Sequence, residues 1–222
     1  MSTTDRLFAA TEDIWEGYYR HPFVQGIKDG TLDHDRFRYY IIQDYLYLID
    51  YAKVFAMGAV KAKDMDVMMM FASHCRNILA YEMSIHDGYM GKFGISGEEI
   101  DSTPMDLLNS SYVSYMLRVG FEEGPAEILA SILSCSISYE ILAKRMVAER
   151  PSCVNDPFYG EWIEEYAGEQ YAADDAELIE FTDRLTASYT EEQYQHLKEI
   201  FVNCSRFEAG FWDMGWNGPT KG

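Results

Sequence analysis

The stretch FRYYIIQDYLYLIDY, Phe37 to Tyr51, decides the fold: its apolar and aromatic residues recur at spacings of three and four, without sustained two-residue alternation. That period belongs to a helix and not to a strand. One residue interrupts the apolar run. Asp44 stands among tyrosines and aliphatics, where a plain core helix would carry another leucine. A carboxylate buried among rings is costly unless something binds it. Two later stretches repeat the design: SILSCSISYEIL carries Cys135 with Tyr139, and NCSRFEAGFW carries Glu208 with Phe211. Three helices are therefore expected each to aim one reactive group and one aromatic ring inward.

Outward from these stretches, helical spacing runs through nearly the whole chain, which predicts an all-α protein. Helices are expected at about 4–19, 33–62, 64–92, 104–122, 125–149, 157–187 and 190–214. Asp33 is placed to cap the second, with Leu32 and Phe37 as its staple, and Thr190 with Gln193 forms a capping box for the last. Thr103-Pro104, Gly124-Pro125 and Asp156-Pro157 put prolines where a first helical turn tolerates them. The second, third, fifth and last helices carry the widest apolar faces and are expected to form the central bundle, its edge partly lined by the acidic run Glu161 to Glu180. At 222 residues and 48% hydrophobic content, one substantial core is within reach and two are not. Residues 1–222 are thus read as a single domain, with a mobile tail from about 216 to 222.

A net charge of -19 repels phosphate backbones and anionic lipid, which argues against nucleic acid and membrane partners. Only Lys53 to Lys63 is locally basic, and the segment is short. No run reaches the roughly 18 uncharged residues of a membrane span, and the start, MSTTDRLFAATEDIW, lacks the basic and apolar regions of a signal peptide. A soluble cytoplasmic protein is expected. Its cysteines, Cys75, Cys135, Cys153 and Cys204, show neither CxxC pairing nor zinc-ligand spacing and are expected to be reduced thiols.

Helical geometry puts Asp44 and Tyr47 on one face, with Tyr51 a turn further, so that a carboxylate and phenols can converge on one ligand. The same spacing also describes a solvated acid beside core tyrosines. Cys135 and Tyr139 stand at i, i+4 on a face continued by Ile128, Ile132 and Leu142, an arrangement equally compatible with ordinary packing. Glu208 lies one turn after Cys204, a rival thiol, and one turn before Phe211 and Trp212; an apolar setting there would raise its pKa and suit a general acid, whereas an exposed position would leave it an ordinary helix acid.

The histidines are His21, His34, His74, His86 and His196, and none follows a glutamate by three residues as paired di-iron motifs require. Glu82 with His86, and Glu192 with His196, are spaced i, i+4, but no metal is expected. There is no glycine-rich phosphate cradle, GxSxG elbow or Walker motif. Tyr112, Tyr115, Trp162, Tyr166, Phe207 and Phe211 supply flat surfaces instead. Paired with Asp44 and Glu208, such surfaces suit an aminated heteroaromatic ring.

The runs HPFVQGIKDGTL (His21 to Leu32), FRYYIIQDYLYL (Phe37 to Leu48), CSISY (Cys135 to Tyr139), WIEEYA (Trp162 to Ala167) and FEAGFW (Phe207 to Trp212), in this order, resemble the TenA/thiaminase II family over nearly the whole chain. The resemblance implies a haem-oxygenase-like helical bundle without haem, assembled as a homotetramer and acting in thiamin salvage without a cofactor. Family members hydrolyse 4-amino-5-aminomethyl-2-methylpyrimidine to the hydroxymethyl compound and ammonia, and many cleave thiamin to the same pyrimidine and its thiazole. Carried over by motif, the resemblance makes Cys135 the nucleophile, Glu208 the proton donor and Tyr47 the phenol that contacts the thiol. Asp44, Tyr139 and Tyr166 would contact the substrate, and Tyr112 and Phe211 would wall its ring. Cys135 puts the chain in the family's cysteine-containing branch. A metal-dependent oxidase on the same bundle, a non-catalytic carrier of pyrimidine or thiamin, and a DNA-acting regulator are the competing readings.

Overall fold

A computed structural model of the chain describes residues 1–219, the side chains of 81, 82, 84, 85 and 87 excepted. Eleven α-helices, one π turn and one 3-10 turn make up its regular structure, and no strand occurs among the described residues. In chain order the helices are α1 (Thr3–Arg20), α2 (Pro22–Asp29), α3 (His34–Lys61), α4 (Met65–Asn77), α5 (Met83–Phe93), α6 (Gly97–Ser102), α7 (Leu107–Glu122), α8 (Pro125–Glu149), α9 (Gly160–Ala167), α10 (Glu169–Thr186) and α11 (Glu191–Asn217).

The local signals act largely as the sequence predicts. Asp33 accepts from the backbone N–H groups of Asp35 and Arg36 to start α3, and Thr190 with Gln193 closes both bonds of a capping box at α11. Each cap satisfies amide groups that have no partner inside the helix. Of the three expected proline starts, only Pro125 opens a helix. Pro104 lies before the Asp106 cap of α7, and Pro157 precedes the first residue of α9. The unforeseen α2 begins at Pro22, capped by the His21 ring, and ends at Gly30, whose left-handed backbone (φ 68°) favours glycine.

Two expected long helices are broken. The helix expected at 64–92 becomes α4 and α5, joined by a π turn at Ile78–Glu82, whose wider winding resets the face that α5 presents. The helix expected at 157–187 becomes α9 and α10, because Gly168 adopts extended backbone (ψ 158°) between them. The redirected α9 packs on α8.

At the centre, α3, α7, α8 and α11 all touch one another, so α7 takes the bundle position expected of the third helix, while α4 packs on the flank of α3. Gly210 permits the close approach of α11 to α7, since a Cβ there would lie 2.5 Å from Leu108 Cδ1. Among the described helices α8 alone is long and apolar enough to cross a membrane, but 78% of its most apolar window is buried in this core. At the C-terminus α11 continues to Asn217, and the Arg36 guanidinium covers the Trp216 ring at 3.7 Å. The expected tail therefore begins later than 216, and its last part, 220–222, lies outside the described residues.

Candidate active site

The four core helices carry seven of the eight residues singled out from the sequence. Asp44 and Tyr47 come from α3, Tyr112 from α7, Cys135 and Tyr139 from α8, and Glu208 and Phe211 from α11; Tyr166 arrives on α9. The Tyr47 ring lies 5.3 Å from that of Tyr112 and 5.5 Å from that of Phe211. On the other side, the Tyr139 ring lies 4.9 Å from Tyr166 and 5.0 Å from Trp212. The break at Gly168 has a use here, because the turned α9 brings Trp162 and Tyr166 onto Tyr139.

Burial separates the two thiols near Glu208. Between Ile128 and Tyr139 every residue of α8 is buried except Cys135, which keeps partial access. Cys204 is wholly buried, and burial, with the Glu208 charge adding to it, pushes its pKa well above the ordinary thiol value. The Tyr47 phenol is close enough to Cys135 that a thiolate there is, after burial, the strongest influence raising its own pKa. Tyr47 therefore stays a neutral hydroxyl; here it donates to Met116 Sδ at 3.9 Å, and it is a donor suited to a thiolate.

Glu208 is only 2% exposed, and burial pushes its carboxyl up to about 8, with the Asp44 charge acting in the same direction. The phenols of Tyr112 and Tyr139 pull the other way. Tyr112 is near enough for that effect, yet its Oη and Glu208 Oε2 both lack a well-formed hydrogen-bond partner. A polar ligand between them would satisfy two buried groups that are otherwise costly to leave unpaired. At neutral pH the site thus holds an acid that still has its proton, a partly accessible thiol and a second carboxylate, all walled by rings.

Asp44 is buried as expected of a ligand-binding acid, but it has a protein partner that the sequence did not disclose: His86 Nε2 of α5 lies 2.8 Å from its Oδ2. Both side chains are buried. Tyr40 was also missed. Its hydroxyl is 3.2 Å from that of Tyr139, and its ring stacks on Trp212 at 6.1 Å. Tyr40 precedes Asp44 by one helical turn, so extending the Asp44–Tyr47–Tyr51 face backward would have found it; no spacing rule connects Asp44 to His86. Behind the site, Ser205 Oγ contacts Ser134 Oγ at 3.0 Å and accepts from Trp15 Nε1 at 3.3 Å, tying α1, α8 and α11 together beside Cys135 and Glu208.

Of the spaced Glu/His pairs, Glu82 lies outside the described side chains, and His196 pairs with Glu123 at 3.0 Å on the surface. Among the described residues no group of three or more His, Cys, Asp or Glu side chains is arranged to hold a metal ion.

The TENA/THI-4/PQQC family model matches residues 8–218. A Helicobacter pylori protein named aminopyrimidine aminohydrolase is 42% identical over 216 residues, which cover 97% of this chain and 99% of that protein. Among solved structures, a TenA homologue protein from P.horikoshii OT3 superposes with a TM-score of 0.89 at 27% identity, covering 99% of this chain and 100% of the other. A Shewanella denitrificans domain with a heme oxygenase-like fold superposes at 0.77 with 15% identity, covering 98% of this chain and 93% of its own, a likeness of fold alone.

Proposed function

The chain belongs to the TENA/THI-4/PQQC family, and from that premise we propose that it is a thiamin-salvage hydrolase, converting 4-amino-5-aminomethyl-2-methylpyrimidine to its hydroxymethyl counterpart with release of ammonia. Cleavage of thiamin to the same pyrimidine and its thiazole is a second activity of the same site. The observation that carries the mechanism is the partly accessible Cys135 on an otherwise buried stretch of α8, in the same core as a Glu208 that keeps its proton to about pH 8.

Expelling an amine from a methylene beside an intact aromatic ring is slow, and nucleophilic catalysis divides the step. The Cys135 thiolate adds to a ring carbon while Glu208 protonates a ring nitrogen. The dearomatised ring pushes electrons toward the methylene, and the protonated amine leaves as ammonia. Water then adds to the methylene and gives a proton to the Glu208 carboxylate. Expulsion of the Cys135 thiolate and loss of the ring N–H proton restore aromaticity, so substrate ammonium and water become alcohol, ammonia and a proton. Asp44 holds the amino group of the ring, Tyr47 donates to the sulfur, Tyr139 and Tyr166 give polar contacts, and Tyr112 and Phe211 wall the ring. All of these chemical roles fall to groups of the chain. The acidic chain is further read as a cytoplasmic homotetramer, which its mass in solution would test.

Steady-state comparison of the two substrates tests the reading, with a larger kcat/KM expected for the aminomethyl pyrimidine and no loss on adding a chelator. A larger value for thiamin would reverse the preference. Binding of the pyrimidine without turnover of either substrate would make the chain a carrier, and activity abolished by the chelator would point to the oxidase.

A further inference from the structure

Two buried carboxylates, Asp44 and Glu208, lie close enough for the charge of one to raise the pKa of the other. The proposed chemistry gives them different work, proton transfer by Glu208 and retention of the substrate's amino group by Asp44. Among the described residues, only Asp44 of the two acids has a nitrogen donor bonded to it: His86 Nε2 stands 2.8 Å from Asp44 Oδ2, with Asp44 5% and His86 3% exposed. An ionised carboxylate only accepts, so Nε2 carries the hydrogen. On Glu208, Oε2 has no partner.

We propose that His86 is a positioning residue for this reaction: its Nε2 engages one oxygen of the Asp44 carboxylate and leaves the other turned to the substrate's amino group. The proposal rests on the hydrolase reading above and extends it to a residue that touches no substrate. His86 reaches Asp44 from α5, which packs on α3 just after the π turn has reset its facing surface. A hydrogen bond to an ionised group is stronger than one to a neutral group, so it fixes the orientation of the acid that accepts it. The described groups that act on this pair are few. Tyr40 of α3 and Tyr139 of α8 respond to the Asp44 charge. Around Glu208 are Tyr112 of α7, Tyr139 and Cys135 of α8, Cys204 of α11, Tyr47 of α3 and Tyr18 of α1, all neutral at pH 7 save a Cys135 thiolate. His86 is the one described cationic or N–H side chain bonded to either acid.

The test compares wild type, His86→Leu and His86→Gln in steady-state turnover of the aminomethyl pyrimidine. The leucine variant is expected to raise KM by up to about tenfold, no more than the Asp44→Asn change it acts through, with kcat falling by less than about threefold. The glutamine variant, which keeps an amide donor in reach, should recover most of the KM. In the Asp44→Asn background, His86→Leu should add almost nothing, since both changes remove one interaction. Should the leucine variant fail to fold, His86→Asn, whose amide falls short of Asp44, takes its place. An unchanged KM, or a loss fully additive with Asp44→Asn, would overturn the proposal. Absence of turnover in the wild type would instead overturn the hydrolase reading.

Discussion

Cys135 and Cys204 sit on adjoining core helices, and their surroundings differ in a respect that bears on thiolate chemistry. Cys204 is sealed, and both its burial and the neighbouring acid drive its thiol toward the protonated form. Cys135 keeps partial access and lies beside the Tyr47 phenol, which can hydrogen-bond a thiolate. A thiolate is the nucleophile, and low-dielectric burial penalises it. Under the proposed mechanism, access and a neutral donor favour Cys135 over Cys204, although Cys204 lies one helical turn from the acid.

The sharpest way to break the comparison is to remove each sulfur in turn. Cys135→Ala is expected to reduce turnover by roughly 10³-fold or more, with the fold retained on circular dichroism. If Cys204→Ala produced that loss and Cys135→Ala did not, the assignment of the two thiols would be reversed.

Next in size is Glu208→Gln, expected to lower kcat by about 10²-fold with a smaller change in pyrimidine affinity, as for loss of a positioned general acid. The same variant sharpens the comparison through stability. The raised folded-state pKa of Glu208, about 8 against 4.5, means that the folded protein holds a proton which the unfolded chain gives up between those values. The stability from this group is fully present below about pH 4.5 and is lost as pH rises to about 8, by at most about 5 kcal/mol. Thermal unfolding followed from pH 5 to 9 should show that decline in the wild type and a flatter profile in Glu208→Gln. Parallel profiles would show that Glu208 is not the group responsible.

Asp44→Asn should act mainly on binding, raising KM by about tenfold, on the order of one hydrogen bond to an ionised acceptor. Equal losses of affinity in Asp44→Asn and Glu208→Gln would show that the two acids do not divide their roles this way. The smallest effect belongs to Cys204→Ala: kcat/KM within about threefold of wild type, and a stability loss of about 1 kcal/mol from the small cavity left. A large change in rate with unaltered unfolding would make the sealed thiol part of the chemistry.

Much of this was legible before any coordinates. The period of three and four, the Asp33 and Thr190 caps, and the acid, thiol and carboxylate each set into an apolar helix follow from local geometry, which residues close in sequence determine among themselves. The five runs from HPFVQGIKDGTL to FEAGFW, taken together in order, suggested the family. Less was legible where breaks were concerned: a single residue's backbone at Gly168 and a single wide turn at Ile78–Glu82 do not disturb an apolar pattern, yet they aim α9 and α5 at the site.

What the sequence by itself determined is therefore an all-helical chain with an acid, a thiol and a second carboxylate each set into an apolar, ring-rich helix. What only the tertiary structure decided is which groups share a space and in what state: that Cys135 is open and Cys204 sealed, that Glu208 keeps its proton, and that His86 reaches Asp44 from another helix. The physical reason is that exposure, local polarity and the pKa values that follow from them belong to a packed neighbourhood drawn from six helices. No periodicity along one helix records which side chain a distant helix will press against it.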